Sequence, residues 1–323
     1  RGLGDVYKRQ DTTSVYGEER YTHGDVPTGL THAFGVDYTP DERWNFGGNI
    51  EAGVLEDKNS GAETDRKAIG LIAGYNFGAV TYSAAVEYRD DKTEATDATT
   101  SKRTTWLMKN NLRYQVDSDW RFLAKANFSE SESTLGELYS GNFTEVVMGY
   151  GYRPIDNDRL NTLFKYTYFY NVPFGDLSAT DPLSGQVVGA SNPIDFIQKS
   201  HILSFDAIYD LTQRWSVGGK YAYRLGQLAQ DRLNPEFFDS RASLYVLRGD
   251  WHFTHRWDAM IEGRLLDLPD AQDRKSGFLV GMYRHIGDNL KVGVGYNFAD
   301  FSDDLTDLDY SSQGVFFNFV GKL

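Results

Sequence analysis

The chain contains no cysteine, which removes disulfides, thiolate metal sites and haem attachment through Cys-x-x-Cys-His. That absence is compatible with an oxidising outer compartment. No stretch of the 323 residues approaches the roughly 18 uninterrupted apolar residues that a membrane-crossing helix needs. Positive charge is in deficit, with 33 Lys and Arg against 46 Asp and Glu and a formal net charge of −13. Nucleic acid is therefore not expected as a partner, because phosphate binding needs a basic surface. No Gly-rich phosphate loop and no nucleophile motif are present. Helical periodicity and fully apolar core strands, the usual marks of a soluble domain, are missing as well. The chain does not begin with Met, a basic n-region or an apolar h-region, so any signal peptide is expected to lie outside it or to have been removed.

What is present is strict alternation of apolar and polar residues. Val80, Tyr82, Ala84, Val86 and Tyr88 occupy one parity, while Thr81, Ser83, Ala85, Glu87 and Arg89 occupy the other. Leu290, Val292, Val294, Tyr296 and Phe298 repeat this against Lys291, Gly293, Gly295 and Asn297. A period of two sends the two sets to opposite faces of a sheet. A membrane protein with this pattern and no apolar helix must be a closed barrel, with one face on lipid and the other on a lumen. The 21 Tyr and 20 Phe suit aromatic girdles at two interfaces.

Parity and turn signals together place about sixteen strands, an even count as bacterial barrels require. They lie near 13–21, 28–38, 44–56, 66–77, 80–90, 101–116, 120–132, 143–153, 160–171, 195–210, 215–230, 241–254, 257–268, 275–286, 290–300 and 313–323. Tight connections at 39–43, 78–79, 117–119, 155–159, 212–214 and 287–289 are rich in turn formers. They alternate with longer polar segments at 57–65, 91–100, 133–142, 173–193, 231–240 and 300–313. The expected fold is thus all-β, a transmembrane antiparallel up-and-down β-barrel with short periplasmic turns, long extracellular loops and both termini periplasmic. It would sit in the outer membrane of a Gram-negative bacterium, among lipid and lipopolysaccharide, placed there by the barrel insertion machinery. A soluble sandwich also alternates, but its Trp would go to the core. Here Trp44, Trp120, Trp215 and Trp257 each follow a short turn and Trp251 precedes one, as a periplasmic interfacial belt would. Residues 1–10, RGLGDVYKRQ, lack strand alternation and read as a non-native leader. Residues 11–323 read as one barrel domain.

The polar parity names the lumen. Its candidate pore-lining residues are Lys109, Arg113, Arg121, Lys125, Lys165, Lys220, Arg224, Arg248, Asp250, Glu262 and Arg264. About sixteen strands leave an aqueous channel, unlike an eight-stranded barrel that side chains fill. Lys109, Arg113, Arg121 and Lys125 lie on one hairpin and could form a basic ladder favouring anions. A mixed lumen whose ions pair across strands accounts for the same residues. Asp300, Asp303, Asp304, Asp307 and Asp309 crowd one loop. Oxygen ligands at that density suit calcium, although the EF-hand spacing is missing and a solvated loop explains the charges equally well. No other cofactor is expected. Enzyme activity is not expected either: among the six His, only His201 beside Ser200 approaches a catalytic pair, and its parity aims it at lipid.

The last strand places Val315, Phe317, Phe319 and Leu323 on one parity. It resembles the terminal insertion signal of outer-membrane barrels, departing from it in ending on Leu323 rather than an aromatic residue. Residues 251–323, with Tyr283-Arg284-His285, Gly293 to Phe298 and the Asp300 to Asp309 run, resemble the C-terminal porin-like barrel region of a group of large bacterial cell-envelope proteins. Arg214 to Arg224 fits the same group. The resemblance implies an anchor or translocation role for a larger protein, with upstream domains of the same chain as partners. Barrels that sheath multihaem cytochromes are similar in acidity and Tyr content, which implies a sheath or secretion role toward a separate protein. An outer-membrane hydrolase using His201 or His285 is the third class.

Overall fold

The computed structural model describes residues 6–10, 12–23, 27–95, 99–136, 141–157, 159–171, 179–180, 187–188, 197–231, 234–287, 290–301, 305 and 313–321. Alternation is realised as β1 (Val6–Gln10), β2 (Thr13–His23), β3 (Pro27–Tyr38), β4 (Trp44–Asp57), β5 (Glu63–Phe77), β6 (Val80–Glu94), β7 (Thr100–Gln115), β8 (Trp120–Ser133), β9 (Gly141–Tyr152) and β10 (Leu160–Asn171). Then follow the two-residue strands β11 (Ala179–Thr180) and β12 (Val187–Val188), which pair with each other. The wall resumes with β13 (Ile197–Asp210), β14 (Trp215–Ala229), β15 (Phe238–Thr254), β16 (Trp257–Leu268), β17 (Asp273–Ile286), β18 (Leu290–Asn297) and β19 (Gly314–Gly321). A single 3₁₀ turn, Pro269–Ala271, is the only helical element among the described residues.

Sixteen long strands, β2 to β10 and β13 to β19, run antiparallel in sequence order in one sheet, the architecture of an up-and-down outer-membrane barrel. Each strand pairs with the next, so every connection is a hairpin and backbone donors and acceptors are met between neighbours. Val6–Gln10, read from sequence as a leader without strand character, forms β1 and pairs with Thr13–Gly17 of β2.

Directly opposite residues share a face, so the register sorts the whole wall. Phe34, Ile50, Ile69, Tyr88 and Trp106 form one such row across five strands. Its members include some of the most exposed large apolar groups, with Phe34 at 60% and Ile50 at 57%. Apolar surface of that extent belongs against lipid. Along β14 the outward row runs from Trp215 through Val217 and Tyr221 to Leu225, ten residue steps. At about 3.3 Å per residue and a tilt of about 40°, this is roughly 25 Å of height, the thickness of a barrel's apolar band.

Several strands overrun the expected limits at the long-loop end, whereas β18 stops at Asn297, short of the expected residue 300. The β6–β7 ladder continues to Glu94 opposite Thr100, where a loop is expected from Asp91. β15 reaches 17 residues, against the roughly 9–11 needed to cross a bilayer. Polar pairs hold these extensions, such as Thr64 Oγ1 and Thr93 Oγ1 at 2.9 Å and the buried Arg66–Asp91 pair at 2.8 Å. Hydrophobic contrast therefore stops where lipid stops, and the ladder does not.

At the other end the turns are built on a repeated local device. Asp41 Oδ1 accepts the amides of Arg43 and Trp44 at 2.8 and 2.9 Å, and Asp117 Oδ1 those of Asp119 and Trp120 at the same distances. Thr212 Oγ1 accepts those of Arg214 and Trp215, both at 3.1 Å. An Asp or Thr three residues before Trp closes the turn and starts the next strand with the belt residue. The β5–β6 turn uses Gly78 at φ +56°, a conformation that a side chain disfavours.

Candidate functional site

The inward face carries every luminal candidate. Arg113, Leu123, Gly149 and Lys165 form one inward row across β7, β8, β9 and β10. Asn111, Lys125, Val147 and Thr167 form the next, and Lys109, Asn127, Glu145 and Phe169 the one beyond. On this four-strand sector the inward charges are Arg103, Lys109, Arg113, Arg121, Lys125 and Lys165 against one carboxylate, Glu145, among the described residues. Glu145 is shared by Lys125 Nζ at 2.8 Å and Asn127 Nδ2 at 3.0 Å. Arg121 Nε donates to the neutral Gln115 Oε1 at 2.8 Å. The sector is therefore strongly basic in a chain whose net charge is −13. A concavity of about 400 Å³ opens in it, lined by Arg113, Lys125 and Lys165 with Thr81, Ser83 and Asn111.

The adjoining sector, β13 to β16, differs in two ways. Its charges are paired: Arg248 and Asp250 at 2.8 Å, Arg264 and Glu262 at 2.6 Å, with Asp206 directly opposite Lys220. Near the long loops its inward residues turn apolar, and Ile202, Ala222, Ala242, Leu244 and Leu266 make a patch on β13 to β16. After β18, Phe301 at 2% and Leu305 at 1% exposure pack on that patch. Arg224 Nη1 donates to the Leu305 carbonyl at 3.3 Å and Nε to Ser200 Oγ at 2.9 Å, while Arg264 Nη1 donates to the Phe301 carbonyl at 3.4 Å. Ala299 lies so close to β17 that a Cβ on Gly277 would come within 2.5 Å of it. Arg224, expected to line the pore, is thus 3% exposed and holds a loop instead. Of the segment after β18, Phe301 and Leu305 are described as packing on the inner wall, and Pro173 to Pro193 lies almost wholly outside the described residues.

At the tight-turn end one carboxylate gathers three donors. Asp258 lies 2.7 Å from His252 Nδ1, 2.8 Å from His285 Nε2 and 2.6 Å from Lys291 Nζ. Lys291 also sits over the Tyr283 ring at 4.8 Å. This binds β15, β16, β17 and β18 together and gives His285 a structural partner in Asp258. Ser200 and His201 face opposite sides of β13: Ser200 meets Arg224, whereas the outward His201 Nδ1 is 2.9 Å from the Tyr166 hydroxyl. The two side chains consequently cannot act as a catalytic pair.

Outward, the Trp candidates sit in aromatic clusters at the tight-turn end. Trp44 packs 4.6 Å from Tyr75, Trp120 4.8 Å from Tyr150 and Trp215 5.2 Å from Trp251, and Arg284 lies over Trp257 at 5.4 Å. Val315, Phe317 and Phe319 are 61–69% exposed on the outer face of β19, and Leu323 lies outside the described residues. Of the five aspartates in the acidic run only Asp300 is described; Asp303, Asp304, Asp307 and Asp309 fall outside the described residues. The Asp or Thr caps before Trp and the apolar patch under Phe301 are absent from the sequence-derived candidates. The first was readable as DERW, DSDW and TQRW, and the second as small or apolar residues on the inward parity of adjacent strands.

No protein-family model and no curated protein matches this chain. Solved structures do. The FrpB iron transporter from Neisseria meningitidis (F3-3 variant) aligns with a TM-score of 0.59 at 12% identity, over 95% of this chain and 58% of its own. The ferric-catecholate import receptor Fiu from E. coli K12 aligns at 0.56 and 7% identity, over 88% of this chain and 64% of its own. The ferric citrate transporter FecA in its unliganded form aligns at 0.54 and 14% identity, over 94% of this chain and 54% of its own. This chain spans between 54 and 64% of those three. At such identities the likeness is one of fold, and the fold is that of an outer-membrane β-barrel.

Proposed function

We propose that this chain forms a channel for small hydrophilic solutes in the outer membrane, with its polar path along the basic wall of β7 to β10. The observation that carries this is the asymmetry of the inner face. One sector is sealed by paired charges and a docked loop, and the other presents cations around an unfilled concavity of about 400 Å³. Charges at membrane depth are tolerated where they meet water or each other. Rings or ladders of Lys and Arg select anions.

The test is to refold the chain into a planar bilayer and record single-channel currents under a salt gradient. Steps on the nanosiemens scale, our order-of-magnitude expectation for about sixteen strands, with a reversal potential favouring anions support the proposal. A folded, inserted and silent barrel refutes it.

A second role is as the membrane anchor of a longer protein. Thr13 lies opposite Tyr38, and Gly321 opposite Leu290, so β2 begins and β19 ends at the tight-turn end, with β1 paired to β2 ahead of it. With those turns periplasmic, anything upstream would be delivered to the periplasm. Peptides mapping upstream of Asp11 in native outer membranes would support the anchor role, and their absence would refute it.

A further inference from the structure

We propose that the concavity around Gly149 is a binding site for a small multivalent oxyanion, a phosphate or a dicarboxylate, on the inner wall of the barrel. The proposal rests on the channel reading for its biological sense, but the site is argued from its own geometry.

Its floor is a gap in the side-chain layer. Gly149 and Gly151 occupy successive inward positions on β9, between Leu123 and Arg121 on β8 and Lys165 and Leu163 on β10. A Cβ built on Gly149 would have Leu163 Cδ1 at 3.5 Å as its nearest contact. Ordinary van der Waals separation means that a side chain fits there, so packing does not impose the glycine. Ladder sterics leave the position free and what it leaves is room.

The rim supplies the charge. Arg113 and Lys165 stand at the two ends of the row that crosses Gly149, and Lys125 projects from the adjacent row. Each of the three lines the same concavity. No ion pair to Arg113 is found among the described residues, and Lys125 has only Glu145, which it shares with Asn127. Neutral donors complete the rim: Thr81 lies directly opposite Arg113, and Ser83 opposite Asn111. Beside it the buried hydroxyls of Thr167 and Ser204 have no hydrogen-bond partner among the described residues. Ser204 is directly opposite Lys165.

Cations that converge from both sides on a recess lined with hydroxyl and amide donors match an oxyanion with two or more charges. A monovalent halide could satisfy only one of them at a time, whereas a guanidinium fork plus an ammonium serves two anionic oxygens together. Two cations acting on one ligand also exceed the weak worth of a single exposed pair.

The experiment uses the full chain folded in detergent micelles and, in parallel, inserted in planar bilayers. Inorganic phosphate and succinate are titrated calorimetrically against a chloride background, and each is also tested for saturation of the single-channel current. Binding of one anion per chain is expected, with current that saturates in phosphate or succinate and stays linear in chloride. Lys165→Gln and Arg113→Gln should each weaken binding about tenfold or more, the loss of one charge-assisted contact. Gly149→Val should abolish it by filling the floor. Glu145→Gln should tighten it severalfold by releasing Lys125, an effect opposite in sign to general damage. Should Gly149→Val fail to fold, the three charge variants still decide the matter. Binding without conductance would sustain the site and refute the channel. Conductance that is linear in every anion, with no heat of binding, would overturn the site and leave the channel standing. Which of phosphate and succinate binds more tightly identifies the preferred source of the oxyanion.

Discussion

Removing the side chains that seat the last loop should open the lumen without unfolding the barrel. Phe301 and Leu305 are 2% and 1% exposed, and the surfaces that bury them belong to the inner wall, namely Ile202, Ala222, Ala242, Leu244 and Leu266. Truncating a buried Leu or Phe to Ala costs about 2–5 kcal/mol when the site cannot collapse. A barrel wall held by continuous ladders cannot move to fill the gap. The two guanidinium bonds from Arg224 and Arg264 to loop carbonyls would survive, each worth about 1.5 kcal/mol net, the low end for a charged donor. Loss of even one anchor therefore shifts the docked-to-undocked ratio by roughly 30-fold to a few thousand-fold. The strand ladders do not depend on the loop, so the cost falls on docking.

The absence of cysteine makes the assay clean, because one introduced thiol is unique in the chain. Ala222 is 2% exposed beneath the loop. In an Ala222→Cys background, a small water-soluble maleimide should label slowly with the native loop. It should label at least tenfold faster when Phe301→Ala and Leu305→Ala are added, and single-channel conductance should rise together with labelling. Equal labelling in both backgrounds, in protein that still shows heat-modifiable mobility in gels, would refute the docking argument.

Arg66 and Asp91 are 3% and 8% exposed and meet bidentately at 2.8 and 3.1 Å; Arg66→Ala should cost about 3–5 kcal/mol by stranding a buried carboxylate, read from the guanidinium unfolding midpoint, while the double change to Leu at both positions should recover most of it. Asp41 accepts the Arg43 and Trp44 amides, and those bonds hold its carboxyl below the ordinary aspartate range. Its contribution is thus complete above the unfolded value and fades as pH falls through the lower folded one, so the protection of the Arg43 and Trp44 amides, measured against their intrinsic exchange rates, should fall in that acid window, and Asp41→Ala should remove this change in protection. Deleting residues 1–10 removes only the five-residue pairing of β1 to β2 and leaves the edge of β2 available to β19; the shortened chain should retain its heat-modifiable folded band, and loss of that band would show that β1 is needed.

Much of this architecture was legible because a period of two is unforgiving. A shift of one residue would exchange lipid and lumen for a whole strand, so Tyr82 and Val86 fix the direction of Glu87 and Arg89 without knowledge of any neighbour. The inward set from Lys109 to Lys165 follows from local parity alone, and so does the outward placement of His201 that separates it from Ser200. Strand ends were less legible. Between Asp90 and Thr100 both faces are polar, so alternation carries no contrast although the ladder persists to Glu94. The docked loop was hidden for another reason. Its anchors Phe301 and Leu305 stand in an acidic run that reads as solvated, and their receptor is assembled from four strands spread between Ile202 and Leu266.

That hidden contact changes what the legible residues mean. Parity assigned Arg113 and Arg224 the same role, since both are inward arginines. The fold separates them: Arg224 is enclosed with Ser200 and the Leu305 carbonyl, and Arg113 rims a recess of about 400 Å³. An enclosed guanidinium satisfied by neutral acceptors retains a loop, while one beside a gap in the side-chain layer offers its donors to a solute. Direction is set by the strand, but availability is set by what lies across the lumen. If the chain is the channel proposed above, the residues that decide its selectivity are therefore the inward cations of β7 to β10 around that recess.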